Sequence, residues 1–259
     1  MTTQILHGLT VEIEGSGTPL LCIHGLGGSS NVWAPLLGAL ASFRVVRPDL
    51  PGSARSALPP GALSIQGYVD ALIGLLDALD IPAAHIAAHS LGAVVAQHLA
   101  VQHPGRVLSL ALFGPLVAPP EAGRAGIHAR AQLARTGVTG MQEIADAVTK
   151  GATGAETKAQ QPAVLALVRE IVMRQSSEGY AQSCEALARA ESAAIEQIRV
   201  PTLLVTGDQD GVAPAANVAV MAARIPGSQT LLFEACGHWT PFEQPARCMQ
   251  ALQSFYASL

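Results

Sequence analysis

Apolar residues along this chain follow two alternating patterns. Short apolar runs bounded by Gly, Pro or polar residues are typical of buried strands, whereas apolar residues three or four positions apart are typical of amphipathic helices. The first half of the chain repeats the order strand, helix, strand, helix, which predicts a mostly parallel sheet with helices on both faces. The predicted strands cover residues 20–23, 43–46, 84–87 and 107–113, after an opening strand or hairpin at 5–14, and the predicted helices cover 31–41, 64–79 and 93–100.

The strand pattern stops after Gly114. Residues 118–196 contain no convincing strand, and their Ala-rich segments are compatible with helices. A strand, a helix, a second strand and a final helix then follow. We therefore expect an α/β core of residues 1–116 and 197–259, interrupted by an all-helical lid of residues 117–196. The expected lid helices lie around 121–135, 140–149, 162–175 and 179–190, and the late core elements at 200–206, 214–224, 229–233 and 241–258.

Composition and charge exclude several classes of protein. With 259 residues, of which 49% are hydrophobic, the chain can bury a sizeable core. Charged residues make up 13% and the formal net charge is −4, so the charge does not favour binding to nucleic acid. No uncharged apolar run is long enough to span a bilayer, and residues 1–7 lack the basic start of a signal peptide. We expect a cytoplasmic protein with no nucleic-acid partner and no membrane span.

The four cysteines stand apart from one another in the sequence. None has the C-x-x-C spacing of zinc or redox sites, and no cluster of His, Cys, Asp or Glu has the spacing of metal ligands. We therefore expect free thiols in a reducing compartment, no metal and no organic cofactor. The four are Cys22, Cys184, Cys236 and Cys248.

A serine lies where a predicted strand turns directly into a predicted helix. In the stretch Ala88-His89-Ser90-Leu91-Gly92, small residues stand two positions to either side of the serine, so the chain can turn sharply and leave the Ser90 hydroxyl at the sheet edge. The N-terminus of the following helix then points at whatever the hydroxyl attacks. Because an isolated serine in such a turn is more often a simple helix cap, its assignment as a nucleophile depends on the rest of the chain.

Two later segments carry the groups that a serine nucleophile needs, a base to take its proton and a carboxylate to orient that base. Asp208 and Asp210 share the loop after the strand that ends near Val205, at the end of the strand where open α/β sheets build their sites. His238 follows the last predicted strand. The chain order is thus Ser, Asp, His, and from the loop alone either aspartate can supply the carboxylate.

These segments, together with the His-Gly stretch at 24–28, resemble those of α/β-hydrolase-fold enzymes. The resemblance covers the whole chain and implies an α/β-hydrolase fold with Ser90 as nucleophile and His238 as base. The acid in such sequences stands three residues after the glycine that ends the strand. This implies Asp210 and leaves Asp208 as the runner-up, with a role in the turn.

The resemblance also implies where the oxyanion of the reaction is stabilised. It places the oxyanion hole at the backbone N–H groups of Leu26 and Leu91. For His24, in the same loop as Leu26, we favour a role in fixing the loop over a role as a second base. We assign no catalytic role to the other histidines, His7, His85, His89, His98, His103 and His128.

Within this superfamily the chain resembles 3-oxoadipate enol-lactonases and small carboxylesterases. Residues 178–187 of the expected lid are similar to the lid segment of those lactonases. The chain departs from the family pattern at Ala88, where Gly is common, and at residues 49–56, which lack the Gly-His-Gly of many relatives. The His24 loop and the segment His238-Trp239 are more similar to the same segments of general carboxylesterases than to those of enol-lactonases. The resemblance implies hydrolysis of a small carboxylic ester or lactone through an acyl-enzyme.

Residues beside these motifs are candidates for substrate contacts. They are Gly25, His89, Trp33 and Trp239, although core packing explains the two tryptophans equally well. An arginine of the lid is a candidate to bind a substrate carboxylate, with a solvated position on its helix as the simpler interpretation. These arginines are Arg124, Arg130, Arg135, Arg169 and Arg174.

Other functions fit the same motifs. One is hydrolysis of a carbon–carbon bond in a meta-cleavage product, a vinylogous diketone acid. A second is a cofactor-free perhydrolase or haloperoxidase activity. A third is a ligand receptor on the same fold that binds a partner protein through its lid. For any of these we expect a monomer or a homodimer.

Overall fold

Eight strands form one sheet in the computed structural model, which describes residues 2–259. They are β1 (Thr2–Leu6), β2 (Leu9–Glu14), β3 (Thr18–Ile23), β4 (Phe43–Pro48), β5 (Ala84–His89), β6 (Val107–Phe113), β7 (Thr202–Gly207) and β8 (Gln229–Phe233). Their order across the sheet is β1-β2-β4-β3-β5-β6-β7-β8. The pairs β1–β2 and β2–β4 are antiparallel, and the pairs from β4 to β8 are parallel. The prediction of a mostly parallel sheet flanked by helices, an α/β-hydrolase fold, is confirmed.

The α-helices of the described residues fall into two groups, those on the faces of the sheet and those that follow β6 and precede β7 along the chain. Those of the core are α1 (Ile65–Ala78), α2 (Leu91–Gln102), α8 (Ala215–Arg224), α9 (Thr240–Glu243) and α10 (Pro245–Ala257). Those between β6 and β7 are α3 (Glu121–Ala134), α4 (Val138–Ala152), α5 (Ala155–Gln160), α6 (Pro162–Met173) and α7 (Ser177–Ala188).

Apolar side chains on the central strands are buried on both faces of the sheet, because successive side chains of a strand point to opposite faces. On β3, Leu21 and Ile23 pack with α1 and α2 in one apolar cluster. Leu20 and Cys22 pack with Ser30–Leu40 and α10 in the other. Each large side chain buried in this way contributes about 1.5–3 kcal/mol. The near-continuous apolar runs seen in the sequence follow from this burial on both sides.

Prolines account for the places where the predicted helices differ from the observed ones. The segment predicted as a helix at 31–41 is a 3-10 helix, Ser30–Leu40, with Pro35 inside it. Proline lacks the N–H that a longer α-helix requires and clashes with the preceding turn. The final helix is interrupted at Gln244, before Pro245, and the lid contains an additional short helix that ends before Pro162.

The carboxyl ends of the parallel strands meet at one edge of the sheet. His89 at the end of β5 is in register with Phe113, and Phe113 is in register with Val205 of β7. Gly207 at the end of β7 is in register with Phe233 of β8. The loops that follow β5, β7 and β8 therefore start side by side, which brings together side chains that are far apart in the sequence.

Helices α3 to α7 pack on one another and onto this edge. α3 lies against α7 and α4 against α6. A buried hydrogen bond of 2.9 Å from the Tyr68 hydroxyl of α1 to Ser183 Oγ of α7 attaches them to the core. We keep the name lid for residues 117–196, whose status as a separate unit stays a prediction. Among residues 2–259, no helix has both the length and the apolar character that crossing a bilayer requires.

Candidate active site

Ser90 lies on a strained turn between β5 and α2. Its backbone has φ 53° and ψ −117°, a conformation that costs a non-glycine residue about 1–3 kcal/mol. The turn needs small neighbours, since a Cβ on Gly92 would lie 2.5 Å from the carbonyl oxygen of His24, and one on Gly25 would lie 2.8 Å from Ser90 Cβ. The small residues around Ser90 are thus required by close packing of the backbone.

The structure brings Ser90, His238 and Asp210 into one hydrogen-bonded chain. His238 Nε2 lies 2.8 Å from Ser90 Oγ, and His238 Nδ1 lies 2.8 Å from Asp210 Oδ2. All three residues are buried. Because an ionised carboxylate can only accept, Nδ1 carries the ring proton and Nε2 is left to accept a proton from the serine hydroxyl. This arrangement can activate the hydroxyl as a nucleophile.

Asp210 is held as a carboxylate. Burial by itself raises the pKa of Asp210, but the His238 imidazole and the backbone N–H groups of Ala213 and Val212 outweigh burial and lower the pKa to about 2. Both N–H groups donate to Asp210 Oδ1, at 2.7 and 2.8 Å. Asp208 is exposed, and its Oδ1 accepts a hydrogen bond from the backbone N–H of Cys236. Of the two aspartates considered from sequence, Asp210 is the one that contacts the histidine.

The backbone N–H groups expected to form an oxyanion hole belong to two segments beside Ser90. Leu91 is the first residue of α2, and the N–H groups of a first helical turn have no acceptor within the helix. Leu26 follows Gly25, whose backbone packs against Ser90. The positions fit donors that stabilise a negatively charged oxygen, and this role stays a prediction.

His24 fixes the loop that carries Leu26. The backbone N–H of Leu50 donates to His24 Nε2 at 2.9 Å, so Nδ1 carries the proton and donates to the carbonyl oxygen of Gly25 at 2.8 Å. Burial lowers the pKa of His24, against the opposing effects of Asp49 and of the Gly25 carbonyl. The imidazole is therefore a neutral, buried brace, in agreement with the expectation that it fixes the loop.

Gln175 holds the same loop from the lid side. Its Nε2 donates to the carbonyl oxygens of Gly27, at 3.3 Å, and Gly28, at 3.1 Å. Its Oε1 accepts the backbone N–H of Ala54 at 2.9 Å. Sequence reasoning did not single out Gln175, and no local pattern marks it, because all of these partners are distant in the chain.

Besides Gly25, the candidate substrate-binding residues lie close to the hydrogen-bonded chain of Ser90, His238 and Asp210 or in the core behind it. The centroid of the His89 ring lies 4.9 Å from that of His238 and 5.5 Å from that of Trp239. Burial, and then the nearby His238, lower the pKa of His89 to about 3. Trp33 is fully buried and packs edge-on against Phe113. Contact of these residues with a substrate stays a prediction.

The arginines of the lid are engaged mostly with lid carboxylates and carbonyls. Arg135 pairs with both Glu178 and Glu185, at 2.9 and 2.6 Å. These pairs fit the simpler interpretation, a solvated position on the helix, and contact of a lid arginine with a substrate carboxylate stays a prediction. The other pairs are Arg169 with Asp146, Arg174 with Glu170, and Arg124 with Glu121 and the carbonyl oxygens of Ala188 and Ala190.

A buried carboxylate beside the triad was not assigned a role from the sequence. Glu243 is 2% exposed and accepts hydrogen bonds from the backbone N–H groups of Gly237 and Trp239, the neighbours of His238. The signal available in the sequence was an acidic residue directly after the mostly apolar residues 239–242. Across residues 2–259, no group of three or more His, Cys, Asp or Glu side chains is placed to hold a metal ion.

The chain is similar in sequence and in fold to several known proteins. A family model described as "Alpha/beta hydrolase family" matches residues 20–251. A 2-hydroxymuconate semialdehyde hydrolase from Pseudomonas sp. (strain CF600) is 30% identical over 94% of this chain and 88% of its own length. An esterase from Thermogutta terrifontis superposes with a TM-score of 0.92 at 25% identity, over 100% of this chain and 99% of that one. An enol-lactonase from Burkholderia xenovorans LB400 superposes with a TM-score of 0.89 at 27% identity, over 99% of this chain and 100% of that one.

Proposed function

Because this chain belongs to the alpha/beta hydrolase family, we propose that it hydrolyses a small carboxylic ester or lactone through Ser90, His238 and Asp210. The observation that carries the proposal is the pair of 2.8 Å contacts that join the serine hydroxyl to the imidazole and the imidazole to the carboxylate. Serine is a weak nucleophile at its ordinary pKa, and a base within hydrogen-bond distance removes this limitation.

In the first half of the proposed reaction, His238 Nε2 takes the proton of Ser90 as Oγ attacks the substrate carbonyl carbon. The negative charge that forms on the carbonyl oxygen faces the N–H groups of Leu26 and Leu91, and the charged imidazole is stabilised by Asp210. His238 then gives the proton to the leaving oxygen as the ester C–O bond breaks. The acyl group remains attached to Ser90 Oγ.

In the second half, water replaces the leaving alcohol. His238 takes a proton from the water as its oxygen attacks the acyl carbon, and then returns the proton to Ser90 Oγ as that bond breaks. The acid is released and the enzyme is restored. For a lactone the alcohol and acid are parts of one molecule, so the product is a single hydroxy acid.

Two observations support an ester or a lactone as the substrate. The superposed esterase and enol-lactonase match essentially the whole chain, with TM-scores of 0.92 and 0.89. The lid segment at 178–187 resembles that of enol-lactonases, and it forms most of α7.

A second candidate function is hydrolysis of a carbon–carbon bond. The 30% identity to a protein named 2-hydroxymuconate semialdehyde hydrolase favours it. The perhydrolase, haloperoxidase and receptor alternatives stay predictions without such support. A cytoplasmic location, a monomeric or homodimeric state and the lack of a nucleic-acid partner also remain proposals.

A substrate comparison tests the choice between these functions. The values of kcat/KM are measured for p-nitrophenyl acetate, for a small lactone and for a dienoate of the vinylogous diketone class, with Ser90→Ala as the control. We expect the ester or lactone to have the larger value and the Ser90→Ala protein to lose it. A larger value for the dienoate identifies the carbon–carbon bond as the target instead.

A further inference from the structure

We propose that Glu243 is a positioning residue for His238, and that its carboxylate connects the placement of the imidazole to the docking of the lid. The inference rests on the proposed function, in which His238 transfers the proton of Ser90. Glu243 does not touch the reacting atoms. It acts on the backbone of the loop that carries the histidine.

Glu243 holds the chain on both sides of His238. Its Oε2 accepts the backbone N–H of Gly237 at 3.1 Å, and its Oε1 accepts the backbone N–H of Trp239 at 2.9 Å. The loop between β8 and α9 has no strand partner for these N–H groups, so they need an acceptor from a side chain. One carboxylate, with two oxygens at a fixed separation, sets the positions of both neighbours of the histidine.

The same carboxylate also binds the lid. Oε2 accepts the backbone N–H of Gly154 at 2.6 Å and the hydroxyl of Thr157 at 2.9 Å. His238 itself donates its backbone N–H to the carbonyl oxygen of Ala152, at 2.8 Å. Residues 152–157, from the last residue of α4 to the first turn of α5, are therefore hydrogen-bonded to the loop that carries the histidine or to the same carboxylate. Movement of this part of the lid moves the loop.

The burial of Glu243 and the chemistry of its donors fit a carboxylate at this position. Glu243 is 2% exposed, and its four donors are three backbone N–H groups and one hydroxyl. A buried carboxylate is costly unless it is fully hydrogen-bonded, whereas an apolar side chain is buried without that cost. An apolar residue there would leave the N–H groups of Gly237 and Trp239 without an acceptor.

A glutamine at this position keeps the volume but cannot keep the hydrogen bonds. An amide has one oxygen and one NH₂ group, and the NH₂ would face a backbone N–H in either orientation. At least one neighbour of His238 or the N–H of Gly154 loses its acceptor, and the loop shifts. A displacement of about 1 Å at a catalytic group can cost roughly 10²-fold in rate. Substrate binding by the rest of the pocket is not affected in this way.

The experiment compares Glu243→Gln with Tyr68→Phe, a variant matched for lid attachment. Tyr68→Phe also removes a buried hydrogen bond between core and lid, the one to Ser183, but it does not touch the loop of His238. For p-nitrophenyl acetate we expect kcat of Glu243→Gln to fall roughly 10- to 100-fold with KM little changed. For Tyr68→Phe we expect lower thermal stability and an unchanged kcat. Equal kcat losses in the two variants, or an unchanged kcat in Glu243→Gln, overturn the inference.

A readout that needs no turnover separates this inference from the proposed function. The proton on His238 Nδ1, which faces Asp210 at 2.8 Å, is measured as a downfield ¹H NMR resonance and assigned by its loss in Asp210→Asn. We expect it to move or broaden in Glu243→Gln and to be unchanged in Tyr68→Phe. An unchanged resonance in Glu243→Gln overturns the inference even if the wild type hydrolyses esters. A moved resonance supports it even if the wild type hydrolyses none.

A second variant covers the case in which Glu243→Gln does not fold. Glu243→Asp keeps the charge and both oxygens but is one methylene shorter, so it cannot reach Gly237, Trp239 and the lid together. We expect a resonance shift and a kcat loss smaller than those of the glutamine variant. Wild-type values for both quantities in Glu243→Asp contradict a positioning role.

Discussion

The imidazole of His89 donates a hydrogen bond from Nε2 to the backbone carbonyl oxygen of His238, at 2.8 Å. His89, which precedes the proposed nucleophile, is thus hydrogen-bonded to the backbone of His238, the proposed base. The donor role of Nε2 leaves Nδ1 unprotonated in a neutral ring. His89 was assigned no catalytic role from the sequence, and its contact indicates a structural role in holding the two proposed catalytic loops together.

The first prediction concerns the pH dependence of stability. Burial and the neighbouring His238 lower the pKa of His89 to about 3, whereas an unfolded histidine has a pKa of about 6.5. Between these values the unfolded chain binds one more proton than the native protein. The free energy of unfolding therefore falls with decreasing pH across this window, by up to about 1.4 kcal/mol per pH unit from this group.

Urea unfolding of the wild type and of His89→Gln measures this contribution. The pH is varied from about 4, where only the unfolded histidine is protonated, to about 7, just above the unfolded pKa of about 6.5. Glutamine keeps a hydrogen-bond donor but does not titrate there. Groups such as His24 and Asp210 contribute to both proteins, so the difference between the two slopes isolates His89. We expect the shallower slope in His89→Gln, and identical slopes would contradict the assignment.

The second prediction separates the two aspartates of the loop after β7. Asp210→Asn removes the carboxylate that orients His238, and we expect kcat to fall by about 10⁴-fold, as for the equivalent change in a serine protease triad. Asp208→Asn changes an exposed side chain whose contact is the N–H of Cys236, and we expect only a small effect on kcat. Steady-state kinetics on p-nitrophenyl acetate gives both values. A large loss in Asp208→Asn alone would reverse the assignment.

The third prediction concerns Gln175 and the loop that carries Leu26. Gln175→Leu leaves the carbonyl oxygens of Gly27 and Gly28 and the N–H of Ala54 without this partner, which costs about 1–3 kcal/mol for each buried group left unsatisfied. We expect lower stability and a reduced kcat, because the loop that carries Leu26 loses the hydrogen bonds that hold it on the lid side.

Gln182→Leu is the matched control for this experiment. Gln182 also connects the lid to the core, through the backbone N–H of Leu63, but its contact lies away from the loop that carries Leu26. We expect a loss of thermal stability without a loss of kcat. Were both glutamine variants to retain the wild-type kcat, Gln175 would have no role in placing the loop.

Much of the core could be predicted because its signals are local. The apolar runs of β5 and β6 are buried on both faces, and this leaves a continuous pattern in the sequence. The turn at Ser90 and the loops after β7 and β8 all follow strands, so their meeting at one edge follows from a parallel sheet. The choice between Asp208 and Asp210 needed the resemblance, since a loop pattern does not show which carboxylate faces inward.

The remaining features depend on contacts between distant segments. Gln175 reaches Gly27 and Glu243 reaches Gly154, and neither partner is visible in the local pattern of the other. The predicted helix at 31–41 has apolar residues at helical spacing, but Pro35 changes its hydrogen bonding to that of a 3-10 helix. Apolar spacing therefore predicts which face is buried better than it predicts the type of helix.

The central claim is that Ser90 is the nucleophile, and its most direct test is the site of covalent modification by a fluorophosphonate. Peptide mass spectrometry locates the modified residue, and ester hydrolysis is measured on the same samples. We predict modification at Ser90 with loss of hydrolysis in proportion, and a folded Ser90→Ala protein that is neither modified nor active. Modification at a different residue, or full ester hydrolysis by Ser90→Ala, would contradict the account.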